Sequence, residues 1–248
     1  MRSPLRYPGG KSRAVKTITA LIPAEVTQLV SPFFGGGSVE LACADRGIEV
    51  VGYDLFRPLV AFWKMLLADP KTLAERVQAY YPLTKAQFYQ LQKQHRDEET
   101  AMQGILFFVL NRASFSGTTM SGGCSAASVS ERFTQSAIDR LRHCKITNLT
   151  VEWGDFKESI QRHPDVFLYL DPPYMIKSTL YGDRGSTHRG FDHLGLYEQL
   201  RHRQGWILSY NNCPQVLELY QEYKIIFPDW KYGMSQDKTS KEVLIINV

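Results

Sequence analysis

Short apolar runs that end on a Gly, Pro or acidic residue alternate along the chain with stretches whose apolar positions recur every three or four residues. That alternation predicts strands interleaved with helices in an α/β fold. Lys11 to Ile22 reads as a helix through Ala14, Val15, Ile18, Leu21 and Ile22, stopped by Pro23. Val26 to Val30 reads as a strand, Ser31-Pro32-Phe33-Phe34-Gly35-Gly36-Gly37-Ser38 as a turn, and Val39 to Arg46 as a helix capped by Gly47. Glu49 to Asp54 is the next strand, so this unit has the layout of the nucleoside-binding half of an open parallel sheet.

From Leu55 to about Arg112 the spacing is helical, through Phe62, Leu66, Leu67, Phe88, Leu91 and Ile105 to Leu110. Asn111 to Thr134, rich in Ser, Gly and Thr, reads as a long loop with a task of its own. A short helix from Ser136 through Leu141 follows, then strand patterns at Thr147–Val151, Val166–Leu170, Trp206–Tyr210, Tyr223–Phe227 and Glu242–Ile246.

With 248 residues, 44% of them apolar, the chain can bury a full α/β core with an inserted subdomain. A net charge of +4 and a pI near 8.8 fit a polyanionic partner without requiring one. Cys43, Cys124, Cys144 and Cys213 are far apart and no His stands at ligand spacing, which argues against zinc and against a disulfide framework. Without an apolar leader or a spanning-length apolar run, the expectation is a cytoplasmic protein with no membrane partner.

The densest chemistry is Asp171-Pro172-Pro173-Tyr174, directly after the strand Val166–Leu170. The strand delivers a carboxylate to a cleft, the prolines remove amide donors and leave bare carbonyls, and Tyr174 offers a ring. Two acceptors and a π face suit the exocyclic amine of a nucleobase, although the same four residues also serve as a plain strand-ending turn. Phe34-Gly35-Gly36-Gly37-Ser38 departs from the dinucleotide fingerprint, because Glu40 stands where a third small residue is needed. A single-nucleoside cofactor such as S-adenosylmethionine has no pyrophosphate to seat, and Asp54 is placed to accept from ribose hydroxyls or else to cap a surface turn.

Gly9-Gly10-Lys11-Ser12 is not a phosphate loop, since Leu5 replaces the required glycine and no apolar strand precedes it. Lys11 can instead pair with a small carboxylate, such as that of a methionine moiety, or be an ordinary helix-start lysine. Arg112, Phe115, Arg132 and Phe133 interleave cations and rings in the polar loop, a mix that contacts phosphates and wedges between bases or else anchors a solvated linker. His188 and His193 read as surface or substrate-rim residues, and Trp63, Trp153, Trp206 and Trp230 as core.

In their order these segments resemble the Dam-type (alpha-class) DNA adenine-N6 methyltransferases. Leu5-Arg6-Tyr7-Pro8-Gly9-Gly10-Lys11 is similar to their N-terminal cofactor segment, Phe34 to Ser38 to their glycine motif, Asp54 to their ribose-binding acid and Asp171 to Tyr174 to their catalytic tetrapeptide. Leu110-Asn111-Arg112 with Ser114-Phe115-Ser116-Gly117 resembles their DNA-contacting stretch, and Gly154-Asp155-Phe156 the segment that reaches the cofactor adenine. The resemblance implies a Rossmann-like S-adenosylmethionine-dependent sheet from 1–54 and 145–248, with a mainly helical target-recognition subdomain inserted at 55–144. It implies Asp171, Pro172, Pro173 and Tyr174 as catalytic residues. Tyr7, Lys11, Phe34, Gly35, Gly37, Ser38, Asp54, Asp155, Phe156 and Asp171 become the S-adenosyl-L-methionine site, and Asn111, Arg112, Ser114, Phe115, Ser116 and Arg132 the DNA contacts.

The partners so implied are double-stranded DNA and, in a restriction setting, a cognate endonuclease; the enzyme is expected to be a prokaryotic or phage-encoded monomer that needs no metal. Members that read GATC tend to carry Tyr and Asn in place of Phe115 and Ser116, and Thr118 to Ser130 does not resemble their recognition hairpin, so the recognised sequence is open. The same acceptor geometry also serves cytosine N4 or an RNA adenine. A DNA-binding regulator without catalysis is the reading from another class, and intact Asp54, Asp171 and Tyr174 argue against it.

Overall fold

Every apolar run read as a strand enters one sheet. The structure, a computed structural model, describes residues 2–175, 190–228 and 242–248. Strands β1 (Gln28–Ser31), β2 (Glu49–Asp54), β3 (Leu149–Trp153), β4 (Phe167–Leu170) and β5 (Trp206–Asn211) are parallel. β6 (Lys224–Ile226) and β7 (Glu242–Asn247) complete a seven-stranded sheet, β7 lying antiparallel to both its neighbours. The order β3-β2-β1-β4-β5-β7-β6 reverses direction between β1 and β4, where Leu29 pairs with Phe167 and Val30 with Leu168. In an open α/β sheet such a reversal leaves a crevice at the carboxyl ends of the two strands. The sheet is Rossmann-like, with β7 inserted antiparallel between β5 and β6.

Both faces of the sheet are covered, so its strands are apolar almost throughout. Alternation along β4 sends Tyr169 into one core and Leu168 and Leu170 into the other. The first core is shared with α1 (Val15–Thr19), α2 (Ser38–Asp45), α3 (Arg57–Ala68), α4 (Pro70–Gln78), α5 (Lys85–Gln94), α6 (Thr100–Ala113), α7 (Ala126–Arg132) and α8 (Gln135–Arg142). The second is closed by α9 (Phe156–Arg162), α10 (His193–Leu200) and α11 (Pro214–Leu219). The middle of α6, Ile105 to Leu110, is apolar all round and buried, as a helix segment enclosed by others must be. Gly104 brings it against α3, where a Cβ would lie 2.7 Å from the Phe62 amide nitrogen.

Three expectations are corrected. The first helix is confined to Val15–Thr19, with Lys11 to Ala14 forming turns before it. The stretch 111–134 is no single loop: it contains α7, started by a reciprocal Ser125–Ser128 capping box that its polar composition hides. Trp63 and Trp206 are core, but Trp153 is 45% exposed, with the Arg57 guanidinium 3.6 Å from its ring. Trp230 and His188 lie outside the described residues. Among the described residues no helix is long and apolar enough to cross a membrane.

Candidate active site

The crevice at the strand reversal is a cavity of about 680 Å³. It is lined by segments that are distant in sequence: Tyr7 to Lys11, Pro32 to Glu40, Asp54 to Phe56, Asp155 to Lys157, Asp171 to Tyr174, Gly190 to Asp192, and Glu242. Every segment singled out as cofactor-binding or catalytic therefore borders one space.

The glycine turn is shaped first by its protein neighbours. Gly35 has φ +48°, and a Cβ there would lie 2.8 Å from the Tyr7 ring; at Gly36 it would lie 2.6 Å from Tyr7 Cβ. Trp63 Nε1 donates to the Gly35 carbonyl at 3.1 Å, and Phe34 packs edge-on against Trp63. Phe34 is thus buried beneath the turn, and Gly37 and Ser38 lead into α2.

Asp54, at the end of β2, accepts from the amides of Gly35 (3.0 Å) and Phe56 (2.9 Å), which fixes the carboxylate against the turn. Burial raises its pKa, and those amides oppose the shift. Asp155 caps α9 by accepting from the Lys157 amide at 2.8 Å. Behind it Phe156 stacks on Phe33 at 5.6 Å, and Phe191 meets both rings at 5.5 and 5.3 Å. Phe33 and Phe191 carried no signal beyond being aromatic in a turn.

Asp171 leaves β4 into the cavity, and Lys11 meets it there instead of waiting for a ligand carboxylate. Lys11 Nζ lies 2.8 Å from both Asp171 oxygens and donates to the Tyr174 hydroxyl (2.8 Å) and the Gly9 carbonyl (3.2 Å). The physical reason is burial: a lysine only 4% exposed needs an anion within the protein. Desolvation disfavours its charge, but Asp171 and Glu242 outweigh it and raise its pKa, so Lys11 stays protonated. Desolvation pushes Asp171 up to about 6, Lys11 pulling against it and Glu242 adding to it. The Tyr174 hydroxyl donates onward to Glu242 at 2.5 Å, and its ring stacks on Tyr210 at 6.1 Å. No backbone donor among the described residues reaches the Pro172 carbonyl.

The stretch after α6 is built differently from its sequence reading. Asn111 is fully buried: Oδ1 accepts from the Arg6 amide (2.9 Å), and Nδ2 donates to the carbonyls of Arg6 and Gly117 (both 3.0 Å). Ser114 is buried too, its hydroxyl accepting from the Thr119 amide at 3.0 Å. Phe133 belongs to the core. Phe115, 52% exposed, projects beside Ser116, whose φ is +52°. Arg112 donates to the Arg132 carbonyl at 3.2 Å, and burial together with Arg140, Arg6 and Arg132 lowers its pKa to about 10. None of these four arginines pairs with a carboxylate among the described residues.

A profile of the D12 class N6 adenine-specific DNA methyltransferases matches residues 7–234. The chain belongs to this family. It is an adenine-specific DNA methyltransferase, which selects adenine N6 in DNA over the cytosine and RNA readings and an enzyme over a silent binder. The chain is also 23% identical over 246 residues to the type II methyltransferase M1.LlaDCHI of Lactococcus lactis subsp. cremoris, across 89% of this chain and 84% of that protein. For a D12 class member the family implies S-adenosylmethionine as methyl donor. Sequence reasoning missed Glu40 and Glu242 as residues of the site. Glu40 is buried on α2, takes a hydrogen bond from Ser31 at 2.7 Å and is pushed up to about 7 by desolvation.

Proposed function

We propose that this methyltransferase acts on an adenine flipped out of double-stranded DNA, with Asp171, Pro172 and Tyr174 receiving the base and the adjoining cavity holding S-adenosylmethionine. The observation that carries this reading is the delivery of Asp171 from β4 into the same cavity that Asp54 and the glycine turn border.

The cavity suits the donor in size and chemistry. Its volume of about 680 Å³ falls within the roughly 300–1,000 Å³ of small-molecule clefts. The Phe33, Phe156 and Phe191 rings offer an adenine an apolar slot, and the Asp54 carboxylate keeps acceptor capacity for ribose hydroxyls beyond its two backbone donors. Tyr7 and the glycine turn form the adjoining wall. Bound there, S-adenosylmethionine supplies a methyl group made electrophilic by its sulfonium.

The adenine amino nitrogen is a poor nucleophile because its lone pair is delocalised into the ring. Flipping removes pairing and stacking at a cost of a few kcal/mol, and Tyr174 replaces the lost stacking. The Asp171 carboxylate and the Pro172 carbonyl each accept one N6 hydrogen and draw the nitrogen toward a tetrahedral geometry. Pro173 keeps the turn stiff and without an amide donor. Orientation and this preorganised pair of acceptors provide most of the rate.

For DNA, Phe115 is the wedge that fills the vacated stack, and Arg112 and Arg132, joined by Arg6 and Arg140, contact phosphates. Ser116 lies beside the wedge. Asn111 and Ser114 are reassigned from contacts to supports, since their polar atoms are engaged inside the protein. The relative's type II designation supports a restriction–modification setting with a cognate endonuclease; that the enzyme is cytoplasmic and acts as a monomer is part of the same proposal.

The test is Asp171→Ala, assayed for methyl transfer to duplex DNA and for DNA binding. Transfer is expected to fall below detection with binding retained; transfer at the wild-type rate overturns the assignment.

A further inference from the structure

One buried lysine in this site faces two carboxylates, the half-buried Asp171 and the buried Glu242. Lys11 Nζ is 2.8 Å from Asp171 and 3.5 Å from Glu242, which is 5% exposed and opens β7 opposite Asn211 of β5. The Tyr174 hydroxyl joins them, accepting from Lys11 and donating to Glu242. Glu242 thus touches both the base-stacking ring and the counter-ion of the base-accepting carboxylate. It comes from the far end of the chain and from none of the motifs read in the sequence.

We propose that Glu242 is a positioning residue for methyl transfer. It anchors Tyr174 through its hydroxyl and serves as the second counter-ion of Lys11, freeing Asp171 to take the proton that N6 must lose. This rests on the role given to Asp171 above.

The chemistry requires such a partner. N6 uses its lone pair to bond the methyl carbon, whose bond to the donor sulfur breaks with that pair staying on sulfur. N6 then carries a positive charge and sheds one proton. The Asp171 oxygen that accepted this hydrogen takes the proton and becomes neutral. Lys11 would be left as a buried cation without an anion if Glu242 were absent; with Glu242 beside it, the charge stays balanced. Before transfer the trio has a net charge of −1, which also favours the charge developing on N6. Asp171 returns the proton to water when product leaves.

The groups facing Asp171 are Lys11, Tyr174, Glu242 of β7, Glu40 of α2 and Tyr169 of β4. Of these, Glu242 works with burial to raise the Asp171 pKa toward about 6, and Lys11 opposes it. Removing the Glu242 charge therefore lowers the Asp171 pKa and makes it a weaker base.

The experiment compares wild type, Glu242→Gln and Asp171→Ala in methyl transfer from S-adenosylmethionine to duplex DNA across pH, with melting temperature as a check on folding. For Glu242→Gln, kcat is expected to fall about tenfold or more while both KM values stay within about twofold. The acid limb of its kcat/KM profile should move to lower pH. A purely structural role would leave that limb in place. An unmoved limb with kcat within about twofold of wild type overturns the proposal while leaving the Asp171 assignment standing. Activity in Asp171→Ala overturns both. Where Glu242→Gln fails to fold, Glu242→Asp carries the test: it keeps the charge but shortens the reach to Tyr174, so the limb should stay and kcat should drop. An unchanged kcat in that variant overturns the proposal.

Discussion

Asp171 and Asp54 are both half-buried carboxylates at strand ends, yet their partners give them opposite characters. Asp54 is held by backbone amides that cannot move away, so it is a fixed acceptor. Asp171 is held by a lysine side chain that also has Glu242, so its partner can be shared. Asp54→Ala is therefore expected to act on donor binding. Losing hydrogen bonds to a charged group costs about 1.5–3 kcal/mol, or roughly ten- to a hundredfold in the KM for S-adenosylmethionine, with a smaller change in kcat. Steady-state kinetics at saturating DNA checks this; an unchanged KM removes Asp54 from the donor site. At this scale the sequence marked Asp54 and Asp171, because each stands where an apolar strand ends, but it did not mark Glu40 or Glu242. It did not show that Lys11 would turn inward, since its partners lie 160 and 231 positions away, beyond any local pattern.

Elements were legible wherever burial imposes a period. β4 is apolar at every position because both sheet faces are covered, and Ile105 to Leu110 of α6 because helices enclose them. α7 was not legible: its caps are two serines and its surroundings polar, so nothing in the pattern separates it from a loop. The same polarity disguised Asn111. At the end of α6 it ties the backbone of Arg6, next to the Tyr7–Lys11 segment, to Gly117 in the turn that carries Phe115. Gly117 accepts this closeness because a Cβ there would lie 1.5 Å from the Arg6 carbonyl oxygen. The turn that carries Phe115 and the Tyr7–Lys11 segment are thus one packed unit. Asn111→Ala leaves buried backbone groups unpaired and is expected to lower stability by about 1–3 kcal/mol in denaturant titration. A change below roughly 0.5 kcal/mol would show that the tie contributes nothing.

Across the whole molecule, the order of motifs along the chain is converted into a single site by strand order. Residues 34–38 follow β1 and residues 171–174 follow β4, and these strands are neighbours at the point where the sheet reverses. Asp54 ends β2 and Asp155 follows β3 on one side, and Glu242 begins β7 on the other, where its antiparallel direction brings its first residue to the same edge. That topology is why motifs scattered over the sequence could be read together, and why the seventh strand's contribution could not: an acidic residue at a strand start has no signature. The central claim, adenine-N6 methylation by Asp171, is tested most directly by mapping modified bases in DNA from a methylation-free host that expresses either the wild-type chain or Asp171→Ala. N6-methyladenine at one sequence motif, present with the wild type and missing with the variant, is the expected result; unmodified adenine with the wild type, or equal methylation with both, would contradict it.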